Sequence, residues 1–313
     1  MQQLSLLLWL AFAVTVNSLV ADVKSARLFR RSTAQLLKRE GRSACAPTFS
    51  GVEARDMRNE ELVLIQRNVS AFAKRMELPG ARMGFFYRDE IPGWTPIVPH
   101  ESAAVAQDMS TATMQEFSKL KPATEKEAAE QYSTGTAELK GCTTMYIISH
   151  KGVYATHWWE NVSFDPDKEW KPKTTTTTAE MFQDTVIDVL EKGGNYHPRL
   201  DATLIEDDYI KAYLIVPDQT WREAGPSDNG YPDLWDKIKI TVGKLVPRLQ
   251  DEARWTTVKY TPVGDKYKYL LKSPYSSLGK NIFKYDPQHT PKAEKKHMSA
   301  LWVEEKQVHL DTW

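Results

Sequence analysis

Apolar positions along the chain change period several times, and each change marks an element. From Glu60, the residues Leu62, Ile65, Val69, Phe72 and Met76 recur at helical spacing, and Pro79-Gly80 ends the run. Residues 88–110 hold three prolines and little periodicity and read as loop. Residues 111–132 read as helix interrupted at Pro122. "TTMYIIS" and "VYATHWW" are rich in β-branched and aromatic residues and predict a hairpin turned by His150-Lys151-Gly152. Thr177 and Glu180 have the spacing of a capping box. The helix beyond it places Phe182, Val186, Val189 and Leu190 inside and stops at Gly193-Gly194. A strand over Tyr209–Val216 follows, then a helix in "DLWDKIKITVGKLVPRLQ" and strands in "RWTTVKYT" and "SALWVEEKQVHL". Strands and helices mix without a regular βαβ period. The pattern predicts an α+β fold: a mixed, mainly antiparallel β-sandwich core flanked by helices.

The ends add a cellular expectation. "LSLLLWLAFAVTV" is an apolar run of signal-peptide length, followed by small residues at Ser18 and Ala21. The expected organisation is a signal peptide over 1–21, a polar pro-region or linker over 22–50 and one α+β domain over 51–313. The chain is thus expected to be secreted. Dibasic pairs at Arg30-Arg31 and Lys38-Arg39 are candidate processing sites, and Asn68 and Asn161 head N-x-S sequons for glycosylation.

Charge excludes more than it suggests. Forty-one basic and 41 acidic side chains cancel, and no basic cluster interleaved with aromatics stands out, so nucleic acid is not an expected partner. No later segment is apolar enough for stable membrane insertion. There is no H-E-x-x-H, C-x-x-C, EF-hand loop, Walker A, G-x-G-x-x-G or G-x-S-x-G, so neither metal nor cofactor is expected. Oligomeric state leaves no mark on the sequence.

The chemistry is in the hairpin. Cys142 precedes its first strand and His157 closes its second. A three-residue turn gives an even register, with the two side chains on opposite faces. With an odd register, which needs a longer loop, a bulge or Cys142 just outside the ladder, they share a face, directly opposed or on a diagonal of about 7 Å. An imidazole there can take the thiol proton and hold the thiolate. Gly141 leaves room for backbone N–H groups to reach a developing oxyanion. Cys142 has two other readings, an inert buried side chain or half of a disulfide. Two cysteines in a secreted chain usually oxidise, and a Cys45–Cys142 disulfide would close a long loop. Glu160 can orient His157 or cap the strand, and alternation sends Trp158 and Trp159 to opposite faces.

The segment "TGTAELKGC", with the hairpin and its histidine, resembles the catalytic core of the glutamine-deamidase superfamily. That group includes the cytotoxic necrotizing factor toxins, the Burkholderia lethal factor and the chemotaxis deamidase CheD. The resemblance covers Thr136–Glu160. It implies a Cys142 nucleophile for a protein or peptide carboxamide substrate, His157 as its assistant, and Thr136 as an orienting residue for His157. Lys140 departs from the small residue common there. The same stretch is similar to secreted fungal proteins with a "GCT…GVY…H.WE" run. The readings are therefore a secreted cysteine-dependent amidohydrolase of deamidase type, or a non-enzymatic secreted effector or toxin-like binder stabilised by a disulfide.

Overall fold

The structure is a computed structural model of the 313-residue chain. It describes residues 76, 79, 82–98, 108–124, 127–218, 231–264, 267–289 and 296–313. The expected signal peptide, the dibasic pairs, Cys45, Asn68 and the helix from Glu60, apart from Met76, lie outside the described residues.

In chain order the elements are α1 (Met83–Glu90), β1 (Thr95–Pro96), β2 (Thr111–Glu116), β3 (Tyr132–Thr136), β4 (Thr143–Ile148) and β5 (Gly152–Trp158). Helix α2 runs through Thr178–Phe182, a π turn over Gln183–Ile187, and Asp188–Lys192. Then come α3 (Ala202–Ile205), β6 (Lys211–Pro217), α4 (Pro232–Leu245), β7 (Trp255–Tyr260) and α5 (Tyr269–Lys272). Strands β8 (Asn281–Asp286), β9 (Met298–Val303) and β10 (Lys306–Thr312) close the chain.

The strands form two five-stranded sheets, ordered β1-β3-β8-β9-β10 and β2-β5-β4-β6-β7. Among the described residues only β1–β3 and β6–β7 are parallel pairs. One apolar cluster joins the inner faces of both sheets, through Tyr146, Ala155 and Ile215 on one and Phe283, Tyr285 and Leu301 on the other. A second packs the outer face of the β4 sheet under α2 and α4, and a third packs α1 on Ile282, Ala300 and Trp302. The fold is a four-layer α/β/β/α sandwich of the α+β class.

Local signals survive where tertiary pairing agrees with them. The Thr177 hydroxyl accepts from Glu180 N at 3.2 Å and the Glu180 carboxylate accepts from Thr177 N, a complete capping box. Thr177→Ala is expected to cost about 1 kcal/mol in urea unfolding.

Three expectations are corrected. Residues 111–116 are strand, not helix, because every one of them pairs with β5 and Thr111 and Thr113 suit that pairing. Residues 88–110 are not all loop, since α1 reaches Glu90 and Thr95–Pro96 pairs with β3. The run "SALWVEEKQVHL" is two strands, folded back at Glu304, which takes φ 52°.

The hairpin turn is also shorter than expected. Ser149 N donates to Gly152 O at 3.0 Å, so His150-Lys151 is the turn and Gly152 begins the strand. The Ser149 hydroxyl accepts from the N–H groups of Lys151 and Gly152 at 3.0 and 3.3 Å.

Candidate functional site

The two-residue turn fixes the register. Thr143 pairs with Trp158 and Thr144 with His157, so paired numbers sum to 301 along the hairpin. Extended one step, that register sets Cys142 opposite Trp159. Cys142 and His157 are then diagonal neighbours on one face, within cross-strand reach. Cys142 and Trp159 belong to the inter-sheet cluster. Trp158 belongs to the cluster under the helices, as strand alternation requires.

His157 is flanked by threonines on both sides, Thr111 across β2 and Thr144 across β4. Its ring stands edge-on to Trp159 at 4.6 Å. It is 3% exposed, and its Nδ1 has no hydrogen-bond partner. Burial pushes its pKa down to about 3, so the imidazole is neutral at any physiological pH. A buried imidazole nitrogen without a partner costs about 1–3 kcal/mol. Cys142 is fully buried and disulfide-bonded, so it carries no titrating thiol in this state. Cys45, the chain's other cysteine, lies outside the described residues. Tyr260 donates to the Cys142 carbonyl at 2.9 Å and fixes the backbone there. In the loop before Cys142 the left-handed residue is Glu138, at φ 62°, not Gly141.

Thr136 comes from the opposing sheet. Its hydroxyl accepts from Asn281 Nδ2 at 2.7 Å, and its N–H donates to Asn281 Oδ1 at 3.2 Å. These hydrogen bonds of Thr136 are thus both to Asn281. Asn281 Oδ1 also accepts from the Tyr146 hydroxyl, and Asn281 Nδ2 reaches Thr144 Oγ1 at 3.5 Å. Thr144 faces His157 across the ladder. A polar cluster of Thr136, Asn281, Tyr146, Thr144 and His157 therefore bridges the sheets beside Cys142.

Sequence reasoning missed Asn281, which is 145 positions from Thr136 with no local pattern to mark it. Tyr146 and Thr144 lie in the first strand of the predicted hairpin. Asn281→Leu would leave the Tyr146 and Thr136 hydroxyls buried without partners. It is expected to cost about 3 kcal/mol in denaturant unfolding.

No family model matches the chain, and no curated protein does. Among solved structures, the chain is similar at a low level to one domain in particular. This is the C-terminal domain of CNFy from Yersinia pseudotuberculosis, at 10% identity and a TM-score of 0.26. The alignment covers 64% of this chain and 57% of that one, so the chain spans less than two thirds of that domain.

Other candidate residues fall away from the site. Glu160 lies in a π turn and its carboxylate accepts from the Tyr231 hydroxyl at 3.2 Å. Asn161 is 1% exposed and its Nδ2 donates to Asp167 at 2.8 Å, while Ser163 of the same sequon is buried. The Asn161 sequon, where a glycan is expected, is thus buried in this fold. Among the described residues no three His, Cys, Asp or Glu side chains gather as a metal site. No described helix is long and apolar enough to cross a membrane. A pocket of about 260 Å³ lies at the β1–β2 edge, lined by Pro96, Ile97, Thr113, Tyr196 and Pro198 among others, and includes neither Cys142 nor His157.

Proposed function

We propose that the chain is a secreted cysteine–histidine amidohydrolase of deamidase type, held latent by a Cys45–Cys142 bridge and by burial. The observation that carries it is the diagonal placement of Cys142 and His157 on one hairpin face beside the Thr136–Asn281–Tyr146 cluster. Two conditions precede chemistry. An external thiol must reduce the bridge, giving two thiols and an oxidised reductant. The sheets must also part enough to wet His157, because an imidazole titrating near 3 accepts no proton from a thiol. Hydration returns it toward its ordinary value of about 6.5.

The Cys142 thiolate then attacks the carboxamide carbon while His157 holds the thiol proton. Collapse of the adduct breaks the C–N bond, His157 returns the proton to the nitrogen, and ammonia leaves. Water, deprotonated by His157, attacks the thioester. A carboxylate forms and the Cys142 thiol is restored. The second reading, a non-enzymatic binder, is favoured by the complete burial of Cys142 in its disulfide.

The test compares oxidised and reduced protein for ammonia release and Gln-to-Glu conversion on glutamine-containing proteins. Activity is expected only after reduction and is expected to vanish in Cys142→Ser. Reduced protein whose Cys142 alkylates fully, yet which releases no ammonia from any amide substrate, would falsify the amidohydrolase.

A further inference from the structure

The turn between β9 and β10 is made at Glu304, which takes φ 52°. Glycine holds that conformation at lower cost, and what glutamate adds there is a carboxylate. Its Oε1 accepts from Gly279 N at 3.0 Å, and both its oxygens lie 3.4 Å from Thr261 N. The backbone N–H of Glu304 donates to the Lys280 carbonyl at 2.8 Å, and the Tyr87 hydroxyl donates to the same carbonyl at 3.2 Å.

Both amides held by this carboxylate belong to supports of the segment that carries Cys142. The Gly279 carbonyl accepts from Leu139 N at 2.9 Å, and a Cβ on Gly279 would collide with the Leu139 carbonyl oxygen. The residue before Thr261 is Tyr260, whose hydroxyl donates to the Cys142 carbonyl at 2.9 Å. Leu139 and Cys142 are both in the inter-sheet cluster. The segment from Leu139 to Cys142 therefore enters the core between two anchors, and Glu304 ties both.

Burial raises the Glu304 carboxylate to about 7, against the two backbone hydrogen bonds, which lower it. Asp218, just after β6, acts in the same direction as burial, and Lys306 on β10 acts against it. Tyr87 of α1 also faces the carboxylate. The Lys280 ammonium is held by the carbonyls of Ser273 and Ser276 at 2.8 and 2.6 Å, and Glu138 acts on it from the Leu139 side.

We propose that Glu304 is a pH latch on the Leu139–Cys142 segment, closed while its carboxyl is protonated and released when it ionises. The inference rests on the reading above that Cys142 is the group a reductant and a substrate must reach. A protonated carboxyl stays in place and keeps an oxygen on the two amides. An ionised one is drawn toward water and lets go of both anchors. Opening returns the group toward its ordinary value of about 4.5, so opening releases a proton and grows as pH rises from about 4.5 to about 7. Acid keeps the Cys142 segment shut and neutral-to-alkaline solution loosens it.

Hydrogen exchange of the oxidised full chain, corrected for the intrinsic rate at each pH, tests the latch. Between about pH 5.5 and about pH 8.5 the protection of the Thr261, Gly279 and Leu139 amides is expected to fall roughly thirtyfold. Amides inside β8 report opening of the whole sheet and are not expected to fall. Glu304→Gln, which cannot ionise, is expected to show no such fall. Lys306→Gln, at an exposed position, removes a cation that favours ionisation and is expected to move the fall to higher pH. Protection that stays level or rises with pH in the unaltered chain, a fall of equal size in Glu304→Gln, or a fall that Lys306→Gln leaves in place overturns the proposal. Should Glu304→Gln not fold, the unaltered chain and Lys306→Gln decide. Ammonia release is not the readout, so a chain that latches as described and yet hydrolyses no amide sinks the amidohydrolase and leaves the latch standing.

Discussion

Moving from about pH 7.5 to about pH 5 is expected to lower the free energy of unfolding by roughly 4 kcal/mol, a large part of an ordinary domain's stability. The cause is a set of buried neutral histidines. Burial holds His157 at about 3 and His197 and His309 at about 4. His197 is gripped by Ser110 at Nδ1 and by Thr156 and Tyr154 at Nε2. His309 bridges Tyr213 and Ser299, and Asp311, Lys211 and His150 also act on it.

The folded values lie below the unfolded one of about 6.5. Between about 6.5 and 4 the unfolded chain therefore binds protons that the folded chain refuses, and stability falls as pH falls through that window. Each histidine contributes about 2 kcal/mol of the loss by pH 5. Glu304 works in the opposite sense. Burial raises it to about 7, so the folded chain takes its proton first and gains roughly 2 kcal/mol over the same interval. Urea unfolding at several pH values reads the net slope, and His309→Gln should flatten it. Equal midpoints at pH 7.5 and pH 5 would show that these imidazoles are not held neutral by the core.

The share of this molecule that is legible in its sequence follows the range of the interactions. The hairpin could be read because both strands and their turn lie within 16 consecutive residues, and its inward set of Tyr146, Ile148, Val153 and Ala155 is spaced by two. The capping box at Thr177 and the amphipathic α4 are equally local. "TATMQE" was misread because its intrinsic preference is weak and its state is decided by pairing with β5.

The site divides in the same way. Cys142 and His157 are close because a short turn brings them together. Asn281, which organises Thr136 and Tyr146, arrives from the opposing sheet through packing that no local pattern encodes. Burial was the other illegible property. Whether a strand face meets solvent or a second sheet depends on β3 and β8, and here the second sheet closes over His157 and Cys142.

Three single substitutions separate the two functional readings. In the latent-enzyme reading, Cys45→Ser leaves Cys142 with no partner in the chain, so the protein needs no reductant and is active wherever the sheets part enough to wet His157. Cys142→Ser and His157→Gln each abolish ammonia release, and the double variant is little worse than either, because nucleophile and base act as a unit. In the binder reading the cysteines are equivalent. Losing a cross-link that closes about 100 residues costs on the order of 4–5 kcal/mol in the chain-entropy model. Cys45→Ser and Cys142→Ser would then lower the melting temperature by the same amount, roughly 10 °C or more. Both cysteine variants lose the bridge in either reading, so stability alone does not discriminate. The deciding measurement is ammonia release by Cys45→Ser without added thiol, beside Cys142→Ser under the same conditions. Activity in the first and none in the second requires Cys142 to act as a nucleophile. Equal melting losses with no ammonia from either, on any amide substrate and after acid or reductant has loosened the fold, assign the cysteines to the scaffold alone.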